Sequence, residues 1–151
     1  MATKLIFVET GSAEKRATLC RWVEQFHEEG KHLLVVTDST LAAQHLDQML
    51  WSFSQSSFIP HRVVTRPGGQ PPNEPVIILP EPMFLPGFDV VIADAHVGIE
   101  FLGQFAIAVH FVLTDDPDQR QESRLLWQAA RDHGWSLQHI QYSSGSKLPS
   151  S

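Results

Sequence analysis

Three arginines and a tryptophan near the carboxyl end of the chain have the spacing of one helix face. These residues follow one another at offsets of four, three and four: Arg120, Arg124, Trp127 and Arg131. At about 100° per residue they fall within roughly 60° of one another, with Leu125, Leu126 and Ala129 on the other side. Guanidinium groups bind carboxylates as a fork, and an indole offers a flat apolar face. This arginine stripe therefore suits an acidic partner with an apolar end; the alternative is that Trp127 borders a core and the arginines only solvate the helix.

A second group of large apolar side chains follows a predicted helix end and continues into a serine-rich loop. Its members are Leu50, Trp51, Phe58, Pro60 and His61. Tryptophan and phenylalanine flanked by polar residues are typical anchors of protein interfaces. We expect His61 to hydrogen-bond within the loop. The group indicates a second interaction surface, or else a loop that folds back over one edge of the core.

Signatures of nucleotide chemistry are incomplete in this sequence. The turn after the first apolar run, residues 9–13, contains one glycine and is not followed by a phosphate-binding series. Asp94 follows the apolar run Val90–Ala93, where a carboxylate could hold a metal, but no catalytic glutamate or phosphate loop accompanies it. We expect no catalytic residue and no cofactor. The alternative is a small nucleotide-dependent enzyme with an atypical phosphate site and Asp94 as metal ligand.

The sequence also lacks the residue patterns of a metal site and of a catalytic nucleophile. The eight histidines form no His-x-x-x-His or Glu-His pair on one helix face, so we expect no metal site. No serine lies in a Gly-x-Ser-x-Gly elbow. Cys20 is the only cysteine, which excludes disulfides and favours a reducing compartment; its apolar setting is typical of a core residue. The cytoplasm is the expected location.

Length and charge restrict the class of partner. A chain of 151 residues with 42% apolar residues is long enough for one domain with its own core. Its net charge is -6, which disfavours a surface that neutralises DNA phosphates, and any link to DNA is expected to be indirect. No apolar run approaches the length of a membrane span, and we expect no membrane partner.

The elements that position these residues are strands alternating with helices. Apolar runs predict buried strands at Leu5–Val8, Leu33–Val36, Val76–Leu79, Val90–Ala93 and Ile107–Leu113. Residues 62–65 could extend briefly, and residues 137–142 could form an edge strand. The alternation predicts a three-layer α/β/α fold with a mostly parallel sheet over residues 1–142. Residues 143–151, rich in serine, are expected to form a disordered tail.

Helix boundaries are predicted from capping residues. Ser12 is the expected N-cap of a helix over residues 13–29, closed by Gly30. A second helix begins after residues 37–39, and its expected inner stripe consists of Leu41, Ala42, His45, Leu46, Met49 and Leu50. The last helix begins with Asp116 at the N-cap and Pro117 at its first position, and Gly134 follows its last turn. That helix carries the arginine stripe.

The chain resembles the chi subunit family of bacterial DNA polymerase III holoenzyme. The resemblance is strongest over Leu46-Asp47, Leu50-Trp51, Phe58, Pro60 and His61. It extends to the order of elements, to Phe111-Val112 before the last helix, to Arg120, Arg124 and Trp127 within it, and to Gly134-Trp135 after it. The segment from Pro67 to Pro86 bears little likeness to the family.

The resemblance implies a non-catalytic accessory subunit of the clamp loader, with a nucleotide-binding-like fold that lacks a phosphate loop. Members of the family bind the acidic, phenylalanine-terminated tail of the single-stranded-DNA-binding protein. Here the tail-binding residues implied are Arg120, Arg124, Trp127, Gln128 and Arg131, with Gln128 where the family often has a lysine. Members also bind a psi subunit, or alternatively a helicase, through the region that matches Trp51, Phe58 and Pro60.

Overall fold

The computed structural model describes residues 2–53, 58–66 and 72–141. Its strands are β1 (Lys4–Thr10), β2 (Leu33–Val36), β3 (His61–Val63), β4 (Val76–Leu79), β5 (Val90–Ala93), β6 (Ile107–Leu113) and β7 (Ser136–Ile140). Its helices are α1 (Lys15–Glu28), α2 (Thr40–Phe53), α3 (Ile99–Leu102) and α4 (Pro117–Asp132). Within these ranges, no helix is both long and apolar enough to cross a bilayer.

The strands form one sheet in the order β3-β4-β2-β5-β6-β1-β7, and every neighbouring pair is parallel. Alternate residues of each strand face opposite layers. Ile6 and Val8 pack in a core with α1 and α2, whereas Leu5 and Phe7 pack in a second core with α3 and α4. Helices therefore cover both faces of the sheet, which explains why the central strands read as continuous apolar runs. The predicted three-layer α/β/α fold is confirmed.

Most predicted strands are found at the expected positions. β2, β4, β5 and β6 have the predicted bounds, while β1 is longer than the run Leu5–Val8. The short extended segment predicted for residues 62–65 corresponds to β3, which begins one residue earlier and has three residues. β7 ends at Ile140 and lies at the edge of the sheet beside β1. Residue 142 and the tail predicted for residues 143–151 lie outside the described residues.

The predicted cap of the first helix is wrong. α1 begins at Lys15 with Glu14 at its N-cap and no side-chain capping bond. The backbone N–H and the hydroxyl of Ser12 instead donate to the Asp115 carboxylate, with Ser12 Oγ 2.7 Å from Oδ1. The Ser12 side chain, which the local pattern assigned to the N-cap of the helix, is therefore bonded to a loop residue distant in sequence. Gly30 has the positive φ of 77° expected of a residue that ends a helix.

The inner stripe predicted for the second helix is partly wrong. Ser39 caps α2 as expected, since its Oγ accepts from the N–H of Ala42 at 3.0 Å. Leu41 and His45 are exposed, however, and the buried residues of α2 are Ala42, Ala43, Leu46 and Leu50. The buried face is therefore rotated toward Ala43, because α2 contacts both α1 and the sheet. A short apolar residue suits that close approach better than histidine.

The predicted boundaries of α4 are confirmed. The Asp116 side chain accepts from the N–H of Gln119 at 3.1 Å, and Gly134 has a φ of 75°. Leu126 and Ala130 are buried, whereas Leu125 is exposed on the side away from the sheet. The arginine stripe therefore lies beside the buried face of α4, not opposite it.

Candidate functional site

A cavity of about 520 Å³ lies between α4 and the carboxyl ends of β1, β6 and β7. Five residues of α4 line it, together with residues of the three strands and Thr114 just after β6: Arg120, Ser123, Arg124, Trp127, Gln128, Phe7, Glu9, Val112, Thr114 and His139. Its volume is within the range of pockets that bind small ligands. Three of the four residues of the arginine stripe thus belong to one wall of a concave site.

The floor of this cavity is apolar. Phe7 is buried, and Trp127 of α4 lies against it edge to face, with ring centroids 4.9 Å apart at 66°. Trp127 is only partly buried, so part of its indole is available to a ligand. An apolar side chain that enters here exchanges water for two aromatic faces, which is a favourable environment for another ring.

The rim of the cavity is cationic. Arg120 and Arg124 are exposed, and the structure gives neither an ion pair among the residues that it describes. Gln128 also lines the cavity, and its amide nitrogen donates to Asp132 at 3.0 Å. Arg131 is exposed on the same stripe but is not among the lining residues. The structure therefore brings together four of the five residues implied for this site.

The opposite wall contains a pair that sequence reasoning missed. Glu9 of β1 and His139 of β7 are joined by a contact of 2.7 Å between Oε2 and Nε2. The His139 ring also lies edge to face with Trp127, at 6.4 Å and 82°. These residues are 130 positions apart, and only the parallel pairing of β1 with β7 joins them. No local pattern in either segment signals the contact.

A buried hydrogen bond holds α4 behind the cavity. His110 Nε2 of β6 is 2.7 Å from Ser123 Oγ, and the His110 ring packs against Phe7 at 5.2 Å. Burial, followed by the charges of His96 and Lys15, lowers the pKa of His110 to about 4. His110 is therefore neutral near neutral pH. It acts as a structural partner of Ser123 and positions the stripe over the sheet.

The second aromatic group divides into exposed and buried members. Trp51 is 50% exposed and Phe58 is 70% exposed, and their rings lie 5.5 Å apart. Pro60 is partly buried. Leu50 and His61, which the sequence predicted for the same interface, are buried and support this surface from beneath. Trp51 and Phe58 form what we call the aromatic pair.

His61 is the support of the aromatic pair. Its Nδ1 is 2.8 Å from the carbonyl of Ile59, and its Nε2 is 3.1 Å from the Asp47 carboxylate. Its ring lies 4.3 Å from that of Trp51. The expectation that His61 hydrogen-bonds within its own loop is confirmed by the bond with Ile59, and the contact with Asp47 ties that loop to α2.

Asp94 is engaged with cations of the protein itself. Its carboxylate is 2.8 Å from Lys15 Nζ and 3.5 Å from Arg16 Nε, and only 2% of its side chain is exposed. Lys15 and Arg16 therefore supply the positive charge that a metal ion would bring. No group of acidic, histidine or cysteine side chains in the described ranges could hold a metal ion.

Cys20 is a core residue, as predicted. It is fully buried, and burial followed by the charge of Asp94 raises the pKa of its thiol to about 12. Since the thiolate is the nucleophile, this side chain is inert at neutral pH.

The model of one protein family matches most of this sequence. It is the DNA polymerase III chi subunit, HolC, and the match covers residues 2–138. A search of curated proteins finds no match. The matched range contains the lining residues of the cavity other than His139, and it contains the aromatic pair.

Proposed function

The chain belongs to the DNA polymerase III chi subunit family, and we propose that it is a non-catalytic accessory subunit of the clamp loader. In this role it binds the acidic C-terminal tail of the single-stranded-DNA-binding protein and links that protein to the replisome or to a helicase. The observation that carries the proposal is one cavity with exposed Arg120 and Arg124, neither of them in an ion pair with another described residue, above the apolar floor of Phe7 and Trp127.

The chemistry of such a tail matches this cavity. The terminal phenylalanine ring packs on the floor, and the tail's carboxylates pair with Arg120 and Arg124. Burying a phenylalanine side chain contributes roughly 1.5–3 kcal/mol. Charge-assisted bonds to exposed arginines are individually modest and are screened by salt. After the entropy cost of ordering a flexible tail, binding in the micromolar range is expected.

The second partner binds elsewhere on the molecule. We assign it to the aromatic pair, Trp51 and Phe58, with Pro60 beside them. Exposed aromatic side chains are frequent anchors of protein interfaces. A psi subunit or a helicase fits this surface by family membership. Two separate surfaces allow the protein to hold the tail and a replication protein together.

Contact with DNA is indirect in this proposal. The net charge of -6 disfavours a phosphate-binding surface on this protein. It therefore reaches DNA by binding the single-stranded-DNA-binding protein. We infer that a protein with this role works in the cytoplasm, which agrees with its single, buried cysteine.

The test is a calorimetric titration with a short acidic peptide that ends in phenylalanine. We expect micromolar affinity that weakens as salt concentration rises. Two control peptides separate the contributions: one with the last phenylalanine replaced by alanine, and one with an amidated carboxyl end. Both are expected to bind much more weakly. Equal binding of all three peptides, or no binding at low salt, would contradict the proposal.

A further inference from the structure

The strand β7 lies at one edge of the sheet and borders the cavity beside α4. It pairs with β1 on one side, and no strand of the described residues lies on its other side. His139 of this strand lines the cavity. An edge strand presents a row of backbone N–H and C=O groups, to which an extended peptide can add as a further strand. The outer edge of β7 and the cavity therefore form one continuous surface.

The register of β7 identifies the backbone groups that face outward. The N–H of Ser136 donates to the carbonyl of Thr3 at 3.2 Å, so the backbone groups of Ser136 point toward β1. The parallel register with β1 continues without a break to Ile140. Alternate residues of a parallel strand bond to opposite sides. The N–H and C=O groups of Leu137 and His139 therefore point away from β1.

The side chains of these two residues fix the edge beside the cavity. Leu137 packs against the core that lies between the sheet and α4, and the His139 ring lies edge to face with Trp127. Both contacts hold β7 against α4, which carries Arg120 and Arg124. The outward backbone groups are therefore held in an extended row before any ligand binds, which lowers the entropy cost of pairing.

The edge of β7 lacks features that commonly prevent pairing with another chain. Its sequence, SLQHI, contains no proline, lysine or acidic residue, and its pairing with β1 contains no bulge. Natural edge strands are often very short or carry such residues, which protect against unwanted pairing. The opposite edge strand, β3, has only three residues, whereas β7 has five. The composition of β7 therefore suits an edge that accepts an extended chain.

Building on the proposed function, we propose that the acidic peptide adds to β7 as an eighth, parallel strand and places its terminal phenylalanine in the cavity. The cavity lies at the carboxyl ends of β1, β6 and β7, so the preceding peptide residues extend toward the amino end of β7. The peptide and β7 then run in the same direction, as all neighbouring strands of the sheet do. Backbone bonds to Leu137 and His139 contribute affinity, and the cavity selects the acidic, aromatic end.

The first experiment measures binding of fluorescently labelled acidic peptides that end in phenylalanine to the full chain. Each peptide of the series carries one N-methylated backbone amide. Only alternate residues of a parallel peptide strand bond to β7. Methylation at a bonded position removes a donor, and we expect affinity to fall about tenfold. Methylation at the positions between them should change affinity by less than about twofold.

The second experiment follows amide hydrogen exchange of the natural chain by NMR, with and without the unmodified peptide. Binding should slow the exchange of the Leu137 and His139 amides, because the peptide supplies their acceptors. The amides of Gln138 and Ile140, which face β1 in the same strand, are the internal controls and should change little.

The outcomes separate this inference from the proposed function. Alternating losses of affinity together with slower exchange at Leu137 and His139 support strand addition. Micromolar binding with unchanged exchange at these two amides, or with equal losses at neighbouring methylated positions, overturns strand addition while the peptide site in the cavity stands. No binding of the unmodified peptide at low salt overturns both.

Discussion

The indole of Trp127 lies edge to face on the ring of Phe7, with centroids 4.9 Å apart. This contact joins α4 to β1, which neighbours both β6 and β7 in the sheet. It fixes the floor of the cavity and, through the helix, the positions of Arg120 and Arg124 above it. The contact therefore serves both stability and the proposed binding of a phenylalanine side chain.

Replacement of Trp127 by alanine is expected to weaken binding of the acidic peptide at least tenfold and to lower the free energy of unfolding by about 2 kcal/mol. The first effect follows from loss of the apolar floor, and the second from truncation of a partly buried aromatic residue. Calorimetry and urea denaturation measure the two quantities. Trp127→Phe is the matched control and should keep most of both; a peptide affinity that Trp127→Ala leaves unchanged would place the ligand elsewhere.

Arg124 and Arg131 of the arginine stripe are expected to contribute unequally to the affinity for the acidic peptide. Arg124→Ala removes a lining cation and should reduce peptide affinity about tenfold, the effect of one charge-assisted contact. Arg131→Ala, on the same stripe outside the cavity, should change affinity by less than threefold. Both variants should melt within a degree or two of the natural chain, since neither arginine forms an ion pair in the described part of the molecule. Equal losses would mean that the ligand follows the whole stripe.

Trp51→Ala should abolish binding of the second partner while leaving the peptide affinity intact. Half of this indole is exposed, so its removal costs little core packing. Pull-downs from the native host can compare it with Arg124→Ala, which is expected to lose the single-stranded-DNA-binding protein and keep the second partner. If Trp51→Ala instead unfolds the protein, the aromatic pair is a cover of the core that rests on His61.

Acid should destabilise the protein through His110. Its pKa is lowered from 6.5 to about 4 in the folded state, so the unfolded chain binds more protons between these values and stability falls as pH drops through this window. At 1.36 kcal/mol per pKa unit, the loss approaches about 3 kcal/mol. Urea denaturation at several pH values measures it. His110→Gln should show a shallower fall than the natural chain, and an equal slope would exclude His110 as the cause.

Titration with ATP and Mg²⁺ tests the alternative of a nucleotide-dependent enzyme. We expect no heat of binding, because the Asp94 carboxylate is already paired with Lys15 and Arg16. Saturable heat that disappears in Asp94→Asn would instead support a nucleotide site at this edge of the sheet. The melting curve of Asp94→Asn must be recorded alongside, since this change leaves two cations without their buried partner.

Local patterns in the sequence were sufficient to predict the features that span one helix or one strand. The offsets of Arg120, Arg124 and Trp127 indicated a shared face, and Asp116 with Gly134 indicated the limits of the helix that carries it. The apolar runs predicted central strands because a parallel sheet covered on both faces selects such runs. These signals are local, since helix and strand periodicity are properties of neighbouring residues.

Tertiary structure decided which side of each element meets which partner. Ser12 bonds to Asp115 instead of capping α1. Leu41 is exposed to solvent, although its spacing predicted that it lies on the inner face of α2. The cavity itself depends on the position of β1 between β6 and β7, which brings Glu9 to His139 and Phe7 to Trp127. Pairing between strands distant in sequence depends on the packing of the whole sheet. This is why the sequence alone predicted the cationic residues of α4. The contact of Phe7 with Trp127 in the floor of the cavity, and the pair of Glu9 with His139 in the opposite wall, became evident only from the fold.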